Sequence, residues 1–303
     1  MAQPLRALSE WEQLNFLLTN RIPRGMATRF MGWLSRVESP LLARVLISGW
    51  GLFADDLNLS EARTRDFASL HECFTRELLP GARTFDSGPR VVCSPSDGVV
   101  GAFGNVEGTR VFQAKGFPYE LEDLIPDPEF RERYRDGVYV TLRLKSSMYH
   151  RFHAPLDGVV RRVIYISGDT WNVNPIALKR IEKLYCKNER AVLELWTEQG
   201  DSVCLVPVAA ILVASMHLNC IAMDLDSSYD GPATLNCHRE YKKGDELGYF
   251  QHGSTIIVFA APGYTLNREL QEGSVVRAGT AILERPDAPV VNGRDLGPHL
   301  KTG

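Results

Sequence analysis

Ser94-Pro-Ser-Asp-Gly-Val-Val100 and Ala154-Pro-Leu-Asp-Gly-Val-Val160 are two copies of one pattern. Each reads as a strand, a Pro-x-Asp-Gly turn and a second strand opening on Val-Val. A second echo pairs Tyr241-Lys-Lys-Gly-Asp-Glu-Leu-Gly248 with Val275-Val-Arg-Ala-Gly-Thr-Ala281. Short β-branched runs surround them, at 91–93, 138–144, 159–166, 192–195, 203–213 and 256–260. Together these spell an α+β fold with a mainly antiparallel β barrel or sandwich core and internal pseudo-symmetry, preceded by amphipathic N-terminal helices.

The helical signal lies upstream. Leu8, Trp11, Leu14 and Leu18 fall on one face, and Met26, Phe30, Trp33, Leu34 and Val37 on another. Residues 41–53 are apolar except for Arg44 and Ser48, too short a run to span a bilayer. Residues 61–80 read as a further helix, with Phe67, Leu70, Phe74 and Leu78 in register and a stop at Leu79-Pro80-Gly81. Within the β region, the charged stretch from Glu120 to Arg135 reads as a helical surface excursion of the lid type.

A net charge of −3 over 303 residues excludes a general nucleic-acid binder, and 44% hydrophobic content excludes wholesale disorder. Charge is nevertheless uneven. Residues 1–50 carry six arginines, no lysine and three acids, together with Trp11, Trp33 and Trp50. Such helices suit the membrane interface; the plainer alternative is a helical layer on the protein's own core. The chain divides into an amphipathic docking region over 1–60 and a catalytic β-rich domain over 61–303. The first ten residues carry no basic segment leading into an apolar run, so a peripheral location on the cytoplasmic side of the cell membrane is expected. The six cysteines, at 73, 93, 186, 204, 220 and 237, form no C-x-x-C motif and read as buried thiols in a reducing compartment.

Three places could do chemistry. Asp97 sits in a turn, with Asp157 in the echo as its structural control. His150 and His153 in Met148-Tyr-His-Arg-Phe-His-Ala-Pro155 are three apart, which on a helical turn puts both imidazoles on one face. No metal site is expected, because His238 and Cys237 lack ligand spacing, and acid–base work is the natural alternative. Ser254 follows Gly253 in His252-Gly-Ser-Thr255 and opens an apolar run. A hydrolase of the nucleophile-elbow type would need G-x-S-x-G between strand and helix, which is absent here.

In order and context these three places resemble the phosphatidylserine decarboxylase family. Phe74-Thr-Arg-Glu-Leu78 with Pro80-Gly-Ala-Arg83 is similar to its F-T-R-x-L-x-P-G-x-R segment. Lys115-Gly116, Asn172-Val-Asn-Pro175 and Lys243-Gly-Asp-Glu-Leu-Gly-Tyr-Phe250 resemble further family segments, from about residue 22 to 282 in all. His252 departs from the family's usual Leu, and a bulky polar group beside the scissile bond could alter the processing rate. The resemblance implies self-cleavage between Gly253 and Ser254, giving a β chain of 1–253 and an α chain of 254–303. It implies a covalent pyruvoyl cofactor made from Ser254, forming a Schiff base with phosphatidylserine and yielding phosphatidylethanolamine and CO2. His153 would deprotonate Ser254, Asp97 would orient His153, His150 would return a proton to the substrate, and Thr255 is a further candidate to stabilise the developing charge. The expected partners are phosphatidylserine, an anionic membrane surface and the other chain of the heterodimer, itself a candidate to pair again. Rival readings are a pyruvoyl decarboxylase of a soluble amino acid, a carrier barrel, which would need a hairpin lysine, and a D/H/S hydrolase that never cuts itself.

Overall fold

The structure is a computed structural model that describes residues 24–51, 54, 57–114, 117–210, 215–226, 228–251 and 254–285. The Leu8–Leu18 stripe, Lys115-Gly116, residues 211–214 and His252-Gly253 lie outside the described residues. Helices α1 (Arg24–Ser35) and α2 (Pro40–Gly51) come first, then a single-turn α3 (Leu70–Phe74). Strands follow: β1 (Val91–Cys93), β2 (Gly98–Asn105), β3 (Arg110–Ala114) and β4 (Phe117–Glu120). Short helices α4 (Leu121–Leu124) and α5 (Pro128–Tyr134) lead to β5 (Val138–Leu144), β6 (Arg151–His153) and β7 (Gly158–Ile166). After α6 (Pro175–Leu178) and α7 (Leu184–Lys187) come β8 (Arg190–Trp196), β9 (Ser202–Ala209), β10 (Ser215–Leu218) and β11 (Met223–Asp226). The chain closes with β12 (Thr234–Tyr241), β13 (Glu246–Phe250), β14 (Ser254–Ala260), β15 (Thr265–Leu266), β16 (Val275–Val276) and β17 (Ala281–Glu284).

Every pairing between these strands is antiparallel, and the sheets stack without closing into a barrel, so the sandwich form of the expected core holds. The large sheet has the order β12-β7-β8-β9-β14-β5-β2-β16, and a smaller one runs β11-β10-β13-β6. Period-two alternation divides the large sheet's side chains between two cores. Ile256, Val258 and Ala260 join Val140, Leu142, Phe152, Met216 and Phe250 between the two sheets. Ile257 and Phe259 join Tyr139, Leu121, Phe130, Tyr134 and Tyr185 on the far side, beneath α4 to α7. Burial on both faces explains why β14 reads as an unbroken apolar run rather than an alternating one.

Two expectations need correction. Residues 61–80 are not one helix, because the segment folds back on itself. Arg63 N–H donates to Glu77 O (2.9 Å), Leu79 N–H to Glu61 O (2.8 Å), and Ala62 bridges Leu78. Only Leu70–Phe74 stays helical, capped by Ser69 Oγ on Glu72 N–H (3.1 Å) and by Glu72 on Ala68 N–H (2.6 Å). Nor is 120–135 a surface excursion. Leu121, Leu124, Phe130 and Tyr134 are fully buried and form the roof of the second core.

One buried acid sits in this frame without an ion-pair partner among the described residues. Glu189 is 0% exposed, and neither carboxyl oxygen has a hydrogen bond of normal geometry. Burial pushes its pKa up to about 8, against the weaker opposing pull of the Tyr165 hydroxyl. The folded state therefore holds a proton that the unfolded chain releases near 4.5, so this group's contribution to stability falls as pH rises from about 4.5 to about 8. Glu189→Gln should leave the melting temperature nearly unchanged at pH 5 and raise it by a few °C at pH 8.5. An equal shift at both pH values would show that the carboxyl's charge is not the cause.

Candidate active site

Four neighbouring strands of the large sheet bring their ends to one rim. Asp97 immediately precedes β2, Leu144 closes β5, Ala209 closes β9, and Ser254 opens β14 opposite both Leu144 and Ala209. The chain reaches Ser254 by crossing from the small sheet, where Phe250 N–H donates to His150 O (3.0 Å). Gln251 anchors that crossing. Its N–H donates to Ser215 O (3.1 Å), its Nε2 to Asp224 Oδ2 (3.2 Å), and its Oε1 accepts from Arg36, just beyond α1.

Ser254 is 0% exposed, and its Oγ has no hydrogen-bond partner among the described residues. Ser96, Thr141 and Ser215 also keep such hydroxyls, so this alone does not single out Ser254. Its place at the rim does. Thr255 points to the other core, where its hydroxyl faces the buried Tyr185 phenol without a hydrogen bond of normal geometry.

The two histidines do not share a helical turn. Arg151–His153 is a strand, with Glu246 opposite His153, Gly248 opposite Phe152 and Tyr249 opposite Arg151. Glycine is required at 248, because a Cβ there would lie 2.1 Å from His217 O. In an extended ladder a spacing of three places side chains on opposite faces, and the two imidazoles accordingly have different surroundings. His150 packs on Phe74 with ring centroids 4.0 Å apart, and its Nδ1–H donates to Met148 O (2.8 Å). His153 packs edge-on to Phe85 and donates Nδ1–H to Gly244 O (2.8 Å). A carbonyl only accepts, so neutral His153 carries its lone pair on Nε2, which accepts from Tyr149 Oη (3.0 Å). Burial lowers the His153 pKa, partly offset by the Gly244 bond, so the ring is neutral at neutral pH.

Asp97 and His153 lie on touching segments, joined by His153 N–H to Pro95 O (2.8 Å), but share no side-chain hydrogen bond. Asp97 is instead held by Arg83 through two bonds, Nε to Oδ1 (2.7 Å) and Nη2 to Oδ2 (2.5 Å). Asp157 makes a natural control. Ala278 N–H donates to Asp97 Oδ1 (3.0 Å) as Lys243 N–H donates to Asp157 Oδ1 (2.8 Å), so tying the turn is the duty both aspartates share. What differs is the remaining partner. The Arg83–Asp97 side chains are 9% and 11% exposed, whereas Lys242–Asp157 is a surface pair.

Arg83, Tyr149 and the Gly244 carbonyl were not picked out as site groups by the sequence reading. The signal available was the segment from Phe74 to Arg83, and the structure explains it as a belt around the site. Phe74 covers His150, Thr75 O accepts from Arg151 (3.0 Å), Arg76 holds Ser147 O (3.0 Å) and Met148 O (3.3 Å), and Arg83 holds Asp97. Among the described residues no group of His, Cys, Asp and Glu could hold a metal ion, and the six cysteines are free thiols.

A buried serine at a strand start, two histidines and a clamped carboxylate are carried by this antiparallel sandwich. Residues 70–284 match the profile of the phosphatidylserine decarboxylase family. A phosphatidylserine decarboxylase proenzyme of Vibrio cholerae serotype O1 is 34% identical over 269 residues, covering 85% of this chain and 94% of that protein. Proenzymes of the same name from Marinobacter nauticus (32% identical, 82% and 89% covered) and Idiomarina loihiensis (30%, 91% and 98%) are also similar. The chain belongs to the phosphatidylserine decarboxylase family, and its class of activity is that of a carboxy-lyase.

The control aspartate supplies a test. Arg83→Gln leaves a buried carboxylate without its ion partner and should cost about 3 kcal/mol or more. Lys242→Ala should leave the urea midpoint unchanged. Equal midpoints for the two variants would show that the Arg83–Asp97 pair is no more than a surface contact.

Proposed function

We propose that this chain is a self-cleaving phosphatidylserine decarboxylase, with Ser254 as the source of a covalent pyruvoyl group. The observation that carries the reading is the buried, uncommitted Ser254 Oγ at the rim where Asp97, the loop before His150 and the sheet crossover meet. Ser254 Oγ donates to no other described group, so it can turn to a general base that comes within reach.

His153 is the base. Gly244 O fixes its tautomer and burial keeps it neutral, so Nε2 is ready to take the Ser254 proton once it exchanges its bond to Tyr149. Asp97 acts through charge rather than through a hydrogen bond, favouring the imidazolium as it forms. Ser254 Oγ attacks the Gly253 carbonyl carbon and the amide nitrogen departs, leaving an ester between the two residues. Loss of the Ser254 Cα proton then expels the Gly253 carboxylate and leaves a dehydroalanine. Addition of one water releases one ammonia and leaves pyruvoyl at the head of the small chain.

When present, that group accepts the electrons left as CO2 departs from the substrate. His150 is the candidate to deliver the proton that replaces CO2, and Thr255 the candidate to donate to the developing charge. After cutting, 254–303 would remain bound without a covalent link. Strand β14 is laddered between β5 and β9 along its whole length, and β17 is paired with both β1 and β15.

The substrate class follows from family membership together with the N-terminal region. Trp33 (66% exposed), Leu41 (74%), Phe30 and Val45 form an exposed apolar set on α1 and α2, beside Arg36 and Arg44. This supports docking of the 1–60 region on an anionic bilayer that carries phosphatidylserine. No described helix is long and apolar enough to cross a membrane.

Intact-mass spectrometry under denaturing conditions tests the scheme. Two species split between Gly253 and Ser254 are expected, the smaller carrying pyruvoyl in place of serine. Ser254→Ala should give one uncut, inactive chain, and a Ser254→Ala protein that still cuts would overturn the assignment. His153→Ala should fail to cut, while His150→Ala should cut but release CO2 at least tenfold more slowly; the reverse pattern would exchange the two roles. With the base lowered by burial, cutting of freshly made proenzyme should be flat above about pH 6.5 and fall only in acid below it. An inflection above pH 7 would identify a different base.

A further inference from the structure

One arginine close to Ser254 has no counter-charge among the described residues. Arg143 lies on β5 directly opposite Thr255, which places both side chains on one face of the large sheet with their Cα atoms about 5 Å apart. The half-buried guanidinium has no hydrogen bond or ion pair to any described residue. Burial pushes its pKa down, and among the described residues Tyr185 is the one ionisable neighbour that bears on its charge. Arg143 lines a cavity of about 250 Å³ together with Lys179, Tyr185, Gln113 and Glu272. Gln113 is fully used in holding α6 and α7, through Leu178 O, Ile181 O and Leu184 N–H, so it shapes the cavity rather than binding there. Glu272 is exposed and forms no ion pair with Arg143. A guanidinium held partly out of water without an anion is costly, whereas one facing a cavity with a lysine opposite is well placed to bind an anion.

We propose that the Arg143–Lys179 cavity is a phosphate-group subsite that receives the phosphodiester of the phospholipid head group. This rests on the reading of the chain as a phosphatidylserine decarboxylase. Phosphate is favoured over carboxylate on energetic grounds. The substrate's carboxylate leaves as neutral CO2, so an arginine paired with it would stabilise the ground state and oppose the reaction. The phosphodiester keeps its charge throughout, so binding it holds the substrate without that penalty, and a guanidinium fork matches two phosphate oxygens. Cutting before residue 254 makes that residue a chain end, so a head group held at Arg143 reaches it around the strand's start rather than through the sheet.

Calorimetric titration of the full processed protein with glycerophospho-L-serine, inorganic phosphate and L-serine tests the subsite. Wild type should bind both phosphate-bearing probes, Arg143→Met should weaken both at least tenfold, Arg143→Lys should weaken them less because it keeps the charge but loses the fork, and serine binding should be unchanged. Binding of inorganic phosphate without glycerophosphoserine supports the subsite and assigns it to free phosphate. Equal binding by wild type and Arg143→Met, or loss of serine binding alone, overturns the proposal. Should Arg143→Met fail to fold, phenylglyoxal labelling of wild type replaces it: phosphate must protect the peptide carrying Arg143, and equal labelling with and without phosphate overturns the subsite. A protein that binds phosphate at Arg143 but releases no CO2 from phosphatidylserine vesicles sinks the decarboxylase reading and leaves the subsite standing.

Discussion

The two Pro-x-Asp-Gly turns bond to each other, and the rest of the site hangs from that exchange. Cys93 N–H donates to Pro155 O (2.9 Å) and His153 N–H donates to Pro95 O (2.8 Å), the same bond made in both directions. The second echo repeats the symmetry. Gly244 N–H reaches Ala154 O and Gly279 N–H reaches Ser94 O, both at 2.9 Å, while Ala154 and Ser94 donate back to Asp245 O and Thr280 O. Gly244 and Gly279 adopt φ of +93° and +94°, a left-handed conformation that strongly favours glycine. Twelve backbone groups are satisfied where four chain segments meet, so the junction is stiff. His153 sits on one arm of it and Asp97 on the other.

That junction also explains how a cut chain could stay folded. The segment after residue 254 supplies a central strand of the large sheet, one edge of the turn junction through Ala278 to Thr280, and the middle strand of a third sheet. Each of these contacts joins the segment to the larger piece through residues other than 253. Breaking the bond to residue 253 would remove one covalent link and leave both ladders of β14 intact. A fold cut at a sheet edge would shed the smaller piece; here the ladders on both sides of β14 would retain it.

Much of this was legible in the sequence because it rests on local chemistry. Asp-Gly turns, β-branched runs and the two echoes specify strand–turn–strand units, and the duplicated units pair in the structure as their likeness suggests. The placement of Ser254 at a strand start was legible for the same reason. What was not legible depends on partners far along the chain. Periodicity made 61–80 a helix, but Ala62 meeting Leu78 overrides it. The i, i+3 spacing of His150 and His153 suggested a helical turn, but pairing to β13 makes it a strand. Arg83 lies fourteen residues from Asp97, and nothing in its own surroundings marks it as that carboxylate's partner.

Duplication and chemistry pull against each other in such a fold. Two copies of a turn give two equivalent carboxylates, and symmetry alone cannot make one of them differ from the other. The symmetry is broken from outside the repeat. The belt from Phe74 to Arg83 lies over one copy only, burying Asp97 beneath a guanidinium and packing an aromatic ring on His150. Asp157, without such a cover, stays in water and among the described residues meets Lys242 and the turn N–H of Lys243. A carboxylate in water is screened from its neighbours, whereas a buried one acts on them at reduced dielectric. The repeat therefore supplies a rigid frame twice, and the segment that precedes it decides which copy holds a buried, clamped carboxylate.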